Sequence, residues 1–325
     1  NAIASLTESA EGATIYVTLE PCCHYGKTPP CTEAIIEQKI KKVVIGSRDP
    51  NPKVAGKGAQ ILRESGITVV QDFMQEECDC LNPVFFHYIT TKTPYVVMKY
   101  AMTLDGKIAT KTGASKWITG EPARQEVQHM RHRYMGIMAG IGTVLADDPM
   151  LNVRVEGWKS PVRIVCDSSL GIPLDSQIVR SAKEYRTIVA YAGREGNEEI
   201  TEKIERLHAK GVDTVCCPDE KGQIDLKKLM TYLGNEGIDS ILLEGGGTLN
   251  DSALRAGIVK EVHCFIAPKL FGGKNSKTPV QGIGIGLPSE ALKLKCTDIC
   301  RIGEDISIIC QVCEKEQEGP CLQES

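Results

Sequence analysis

Short runs rich in Val, Ile and Thr alternate with amphipathic segments along most of the chain, and that rhythm suits parallel strands layered with helices and little else. In the first stretch, strands are predicted at 14–19, 42–47 and 67–71, with helices at about 31–38, 58–64 and 75–89. Asp49-Pro50-Asn51-Pro52 is a turn by its residues alone. The polar run Thr90-Thr91-Lys92-Thr93-Pro94 then separates this block from a new strand at 95–102. Further strands are predicted at 162–166, 187–191, 213–217, 240–243 and 261–266, with helices such as 197–209 between them. Segments 292–300 and 305–312 read as a closing antiparallel hairpin around Ile302-Gly303-Glu304. The expected fold class is therefore α/β in two domains, residues 1–93 and 94–313, followed by a polar, frayed tail at 314–325.

A length of 325 residues with 42% hydrophobic content suits two cores better than one. No run of about 18 apolar residues and no export leader occurs, so nothing is expected to span a membrane, and the default address is the cytoplasm. The net charge of −4, with acidic and basic residues interspersed, provides no basic stripe and argues against a nucleic-acid polymer as partner. Small substrates fit better. The fourteen Cys fall below the density of a disulfide scaffold and sit in apolar runs such as Ile308-Ile309-Cys310, so most are expected to be buried free thiols. The first residue is Asn, and the helix-like run Asn1-Ala2-Ile3-Ala4-Ser5-Leu6 has no capping residue before it, so the chain reads as beginning within a helix.

The strongest chemical signal is Thr18-Leu19-Glu20-Pro21-Cys22-Cys23-His24-Tyr25-Gly26-Lys27-Thr28-Pro29-Pro30-Cys31. Cys22 ends a strand and Cys31 returns at a helix start, where the helix N-terminus favours a thiolate and hence a metal. Two such Cys also occur as ordinary buried thiols, and alone they complete no site. With its flanking residues the loop resembles the cytidine deaminase-like zinc family, and its long Gly26-Lys27-Thr28-Pro29-Pro30-Cys31 insertion looks like the deaminase of riboflavin biosynthesis. The resemblance implies Cys22 and Cys31 as zinc ligands beside a His, a Glu as acid/base, and His24, Lys27 and Thr28 at the substrate's ribose phosphate. None of the six His, at 24, 87, 129, 132, 208 and 263, is followed two places later by Glu. The third ligand and the acid/base are thus missing, truncation is the simplest account, and weak or no zinc binding and no deamination are expected of this chain.

In the second domain, Leu104-Asp105-Gly106-Lys107 and Ser115-Lys116-Trp117-Ile118-Thr119 follow a strand end, where ligands of α/β sheets collect. Glu244-Gly245-Gly246-Gly247-Thr248-Leu249 ends another strand and opens a helix, leaving bare amides suited to a pyrophosphate. A G-x-G-x-x-G fingerprint does not occur. Together with Gly142-Thr143-Val144-Leu145-Ala146-Asp147-Asp148-Pro149, these motifs resemble the riboflavin-pathway reductase family, whose fold is dihydrofolate reductase-like. With the cysteine loop, the chain resembles the bifunctional deaminase–reductases. The resemblance implies NADPH as cofactor, a phosphorylated pyrimidine as substrate and a homo-oligomer. By motif position it implies cofactor contacts at Ala101, Trp117, Thr143, Asp147, Gly246, Gly247, Thr248, Leu249 and Asn250, and substrate contacts at Ser115, Arg131, Leu151, Arg154 and Glu244. Trp117 could equally be a core aromatic. Arg131 and Arg154 suit phosphate because a guanidinium forks onto oxyanions. Lys99 and Glu244 are the candidates for delivering a proton to the sugar, and the sequence does not choose between them.

Cys310-Gln311-Val312-Cys313 and Cys78-Asp79-Cys80 have metal-like spacing but lack a second pair, and are read as non-metal. Two competing readings stand beside the enzyme. One is a non-catalytic deaminase-like binding module fused to a reductase; the other is a folate-type reductase, in which the cysteine loop would have no role.

Overall fold

Val43, Val44 and Ile45, a β-branched run inside polar ends, make the buried middle strand of a small parallel sheet. This computed structural model describes residues 3–26, 28–51, 54–193 and 197–313, divided into two compact units, Asn1–Lys92 and Thr93–Ser325. In the first unit, β1 (Thr14–Leu19), β2 (Lys42–Ser47) and β3 (Thr68–Val70) pair in parallel in that order. Its helices are α1 (Cys31–Glu37), α2 (Lys57–Glu64), α3 (Gln75–Asp79) and α4 (Pro83–Thr91). Ile35, Val43, Ile45, Ala59 and Leu62 form the core between sheet and helices.

The single helix expected at 75–89 is broken. Pro83 opens α4, and Asn82 before it lies at φ −132° and ψ 52°, outside the helical region. A proline ring crowds the preceding residue out of the α conformation and supplies no N–H, so α3 stops and a new helix starts. The helix-like run at the start contains one 3₁₀ turn, Ile3–Ser5. Asn1, Ala2 and the expected tail lie outside the described residues.

The second unit is a nine-stranded sheet flanked by helices. In chain order it comprises β4 (Tyr95–Thr103), α5 (Glu121–Arg133), β5 (Gly136–Gly140), α6 (Ile141–Asp147), β6 (Val162–Cys166), α7 (Gln177–Arg180), β7 (Thr187–Tyr191), α8 (Glu198–Ala209), β8 (Val212–Cys216), α9 (Leu226–Asn235), β9 (Ser240–Leu243), α10 (Gly247–Arg255), β10 (Val259–Ala267), β11 (Leu294–Ile302) and β12 (Asp305–Val312). The strand order is β11-β12-β10-β4-β9-β5-β6-β7-β8. All pairings from β10 to β8 are parallel, while β12 runs antiparallel to both β10 and β11. Alternate residues feed opposite faces: Met138, Ile164 and Ile188 enter one core, Ile137, Val165 and Val189 the other.

β5 was not anticipated, because Gly-Ile-Met-Ala-Gly carries little β-branched character. Its first glycine serves packing: a Cβ on Gly136 would approach Ile164 to 3.0 Å and Ile241 to 3.3 Å. All thirteen described cysteines are free, yet only Cys166, Cys217, Cys264 and Cys310 are buried, contrary to the expectation for most of them. Several lie on β11 and in loops, where no second layer covers them. No described helix is long and apolar enough to cross a membrane.

Candidate active site

Three charged side chains meet at the carboxyl end of β9. Glu244 follows Leu243 directly, and its N–H donates to Met138 O on β5 at 2.9 Å, which fixes the backbone there. Arg131, in the last turn of α5, donates from Nε to Glu244 Oε1 at 2.7 Å and from Nη2 to Oε2 at 3.0 Å. Lys99 Nζ, rising from β4, lies 3.5 Å from Glu244 Oε2. The three side chains are 9–14% exposed. Burial works to raise the Glu244 carboxyl, but Arg131 and then Lys99 overcome it and hold it at about 2. Glu244 is therefore a carboxylate at neutral pH with no proton to give.

This arrangement bears on two expectations. Held ionised by its two cations, Glu244 is the weaker of the two candidates for proton donor. Arg131 is not an open phosphate clamp, because its third hydrogen bond, Nη1 to Asn152 O at 3.0 Å, completes a buried brace on Glu244.

A cavity of about 730 Å³ opens beside the same strand ends. Ser115, Thr143, Asp147 and the run from Gly246 to Leu249 line it, together with the turn after β6. That turn, Asp167-Ser168-Ser169, was missed as a site element, although a polar triplet directly after an apolar strand is a readable signal. Gly246 caps α10 with no side-chain hydrogen bond to its first amides, which leaves them free toward the cavity. A Cβ on Gly246 would meet only Thr143 Oγ1, at 3.7 Å.

Other expected contacts lie elsewhere. Asn250 is fully buried, and its Nδ2 donates to Pro279 O at 2.8 Å, so it anchors α10 rather than facing the cavity. Ala101 and Trp117 are not among the lining residues. Trp117 is 57% exposed, with the Arg124 guanidinium 4.7 Å from its ring, so it is no core aromatic either. Leu151 is 4% exposed, with its side chain packed in the core. Arg154 is exposed and lines a separate surface cavity of about 660 Å³ formed by residues 153–162 and 184–186.

Asp105, in the motif after β4, has a role of its own. It accepts from the Thr103 hydroxyl at 2.6 Å, Gly272 N at 2.7 Å and Phe271 N at 3.1 Å. The Thr103 bond first, and these amides after it, hold its carboxyl down at about 2. Asp105 thereby clasps the turn after β4 to the turn after β10. Gly106, at φ +73°, gives this tight turn its left-handed residue.

In the first unit, Cys22 and Cys31 do come together: Cys31 N donates to Cys22 Sγ at 3.3 Å. Burial first, and the Cys22 sulfur next, push the Cys31 thiol up, against the lowering expected from its place at a helix start. His24 and Thr28 are exposed nearby in the chain, while Lys27 lies outside the described residues. No group of three His, Cys, Asp or Glu that could hold a metal occurs among the described residues.

These features define an α/β enzyme with a dinucleotide-sized cavity at the carboxyl ends of its sheet and, ahead of it, a paired-thiol loop. Comparison with known proteins makes the class specific. Residues 94–308 match the RibD C-terminal domain, and residues 1–47 match the cytidine and deoxycytidylate deaminase zinc-binding region. The riboflavin biosynthesis protein RibD of Actinobacillus pleuropneumoniae is 58% identical, over 94% of this chain and 80% of its own length. Among solved structures, Acinetobacter baumannii RibD, form 1, superposes with a TM-score of 0.80 at 36% identity, over 94% of this chain and 82% of that one. A Thermotoga maritima diaminohydroxyphosphoribosylaminopyrimidine deaminase/5-amino-6-(5-phosphoribosylamino)uracil reductase gives 0.79 at 34%, over 94% and 81%. The chain belongs to the RibD family, enzymes of riboflavin biosynthesis that join a zinc-binding deaminase region to an NADPH-using, dihydrofolate reductase-like domain.

The two implied groups fit unequally. The cavity suits NADPH: it has the size, the bare amides of α10 and a glycine whose missing Cβ leaves the space open. For zinc, the described residues supply two thiols and not a full ligand set, so they support no catalytic step through the metal.

Proposed function

We propose that the second unit reduces the ribosyl group of 5-amino-6-(5-phosphoribosylamino)uracil to the ribityl group, with Lys99 as proton donor. The observation carrying this reading is the buried Lys99–Glu244–Arg131 cluster beside the cavity's strand ends. NADPH, when bound, supplies the hydride for the sugar C1'. Lys99 provides the proton that the ring oxygen needs as the sugar opens, and Glu244 holds the ammonium in place. Arg131 locks Glu244 as a carboxylate so that it cannot take that proton permanently. Thr143, Asp147 and Gly246 to Leu249 orient the cofactor and Ser115 contacts the substrate; Arg154, exposed on the separate surface cavity, is assigned to the phosphate by motif position alone.

For the deaminase reaction on 2,5-diamino-6-ribosylamino-pyrimidinone 5'-phosphate, the reading assigns Cys22 and Cys31 to zinc and His24, Lys27 and Thr28 to the phosphate. The sequence as given contains no His-x-Glu to complete that site. Division at 93/94 into deaminase and reductase domains, a cytoplasmic address and a homo-oligomeric state belong to the same reading, supported by the family resemblance.

The test is to supply the purified chain with NADPH and the phosphorylated ribosylaminouracil, with dihydrofolate in parallel. NADPH oxidation only with the pyrimidine is the expected result. Turnover of dihydrofolate, or no NADPH binding, would overturn the assignment.

A further inference from the structure

Cys310 has the spacing of a C-x-x-C partner for Cys313, but the fold pairs it differently. β11 and β12 are antiparallel, and their register sets Cys296 directly opposite Cys310. Their sulfurs lie 2.8 Å apart. Cys313 is three residues from Cys310, an odd step that in an extended chain points to the other side. Directly opposed residues of an antiparallel pair have Cα separations of about 4.5–5.5 Å, within the range a disulfide spans.

The two thiols differ in access. Cys296 is exposed on the edge strand, whereas Cys310 is only 6% exposed, between β11 and β10. Burial first, and the Cys296 sulfur next, push the Cys310 thiol up to about 11, so it stays protonated at rest. An accessible sulfur backed by a protected one is the layout of an attacking and a resolving thiol.

We propose that Cys296 and Cys310 form a reversible thiol–disulfide modification site whose oxidant is a hydroperoxide. The Cys296 thiolate attacks the peroxide's distal oxygen; an S–O bond forms, the O–O bond breaks, and alkoxide or hydroxide leaves and takes up a proton. The Cys310 sulfur then attacks the Cys296 sulfenic sulfur; the S–S bond forms, the S–O bond breaks, and the hydroxyl leaves as water with the Cys310 proton. Two thiols are oxidised by two electrons and one peroxide is reduced. A dithiol reverses the change by exchange. The product staples the edge strand β11 to β12, which itself pairs with β10 beside β4.

Cys300 provides the internal control. It is exposed on the same strand but faces Ser307, which offers no sulfur to resolve it. The experiment treats the full chain with hydrogen peroxide in the presence of dimedone, a trap for sulfenic acids, and maps the peptides without reduction. In the wild type, Cys296 should be recovered linked to Cys310 and free of dimedone, while Cys300 carries the trap. In C310S, Cys296 should carry dimedone instead. In C296S, whose change is on the exposed strand and tests the pair even if C310S folds poorly, Cys310 should remain a free thiol. Equal trapping of Cys296 in wild type and C310S, or linkage of Cys296 to any other cysteine, would overturn the proposal.

Discussion

Glu20 in the first unit and Glu244 in the second are both buried carboxylates, and they are held in opposite ways. Glu20, 3% exposed, accepts from Gly56 N at 3.0 Å, Ala59 N at 3.1 Å and Asp49 N at 3.5 Å, so neutral backbone amides from the turn after β2 and the start of α2 hold it. Glu244 is held by two full cations. Backbone amides fix a carboxylate and cap a helix, and their work ends there. In the proposed reaction, a carboxylate between Arg131 and Lys99 sets the position of the ammonium that gives up a proton. On that reading the difference separates a carboxylate that builds the fold from one that supports chemistry.

The sharpest way to break that comparison is to remove the proton rather than the carboxylate. Lys99→Met keeps most of the side-chain volume and should lower kcat by about 10²- to 10⁴-fold, the usual range for a general acid. NADPH affinity, measured by fluorescence titration, should be unchanged because Lys99 is not a lining residue of the cavity. A rate within a few-fold of wild type would return Lys99 to a purely structural role.

Glu244→Gln leaves Arg131 buried without its counter-charge, and should cost on the order of 3 kcal/mol of stability in denaturant unfolding. The pH dependence has a definite sign. The folded carboxyl sits at about 2 against an ordinary 4.5, so its contribution is complete above about pH 4.5 and is lost as pH falls toward 2. The wild type should therefore lose stability over that window, and the Gln variant should show a flatter acid limb. Parallel acid limbs would mean that the two cations do not hold Glu244 as described.

Glu20→Gln tests the other side of the comparison. It removes a charge that accepts three amide hydrogen bonds and should cost about 2 kcal/mol. The loss should show as faster amide exchange at the start of α2, with the NADPH-dependent rate unaltered.

The contrast also shows what a sequence can carry. Strands β1, β2, β6, β7, β9 and β12 were legible to the residue, because each is a β-branched or apolar run closed by polar or turn residues. β5 was not, since its identity comes from neighbours that need glycine beside them. At the site, the glycines before α10 and the paired Cys were visible as local patterns. The bracing of Glu244 by Arg131 was not, because the partners are 113 positions apart and only the fold brings them to 2.7 Å. Glu20 stood in plain view within the cysteine loop, but its amide partners lie 29 to 39 residues downstream. Asn250 and Leu151 are expected in the site by motif position, and the fold buries both side chains.

The smallest predicted effect separates adjacent glycines. Gly246 has an extended backbone at φ −75° and ψ 168°, which any residue can adopt, and its missing Cβ leaves open space. Gly246→Ala should therefore fold like the wild type, yet raise the KM for NADPH about tenfold, equivalent to about 1.4 kcal/mol, with kcat largely retained. Gly247→Ala is different in kind. Its Cβ would fall 2.5 Å from Gln281 Cγ and 2.7 Å from Thr278 O, so it should lower the unfolding midpoint whether or not cofactor is present. If Gly246→Ala instead destabilised the apoprotein as Gly247→Ala does, the glycine run would be a packing device, like the amides around Glu20, and the cofactor would have to lie elsewhere.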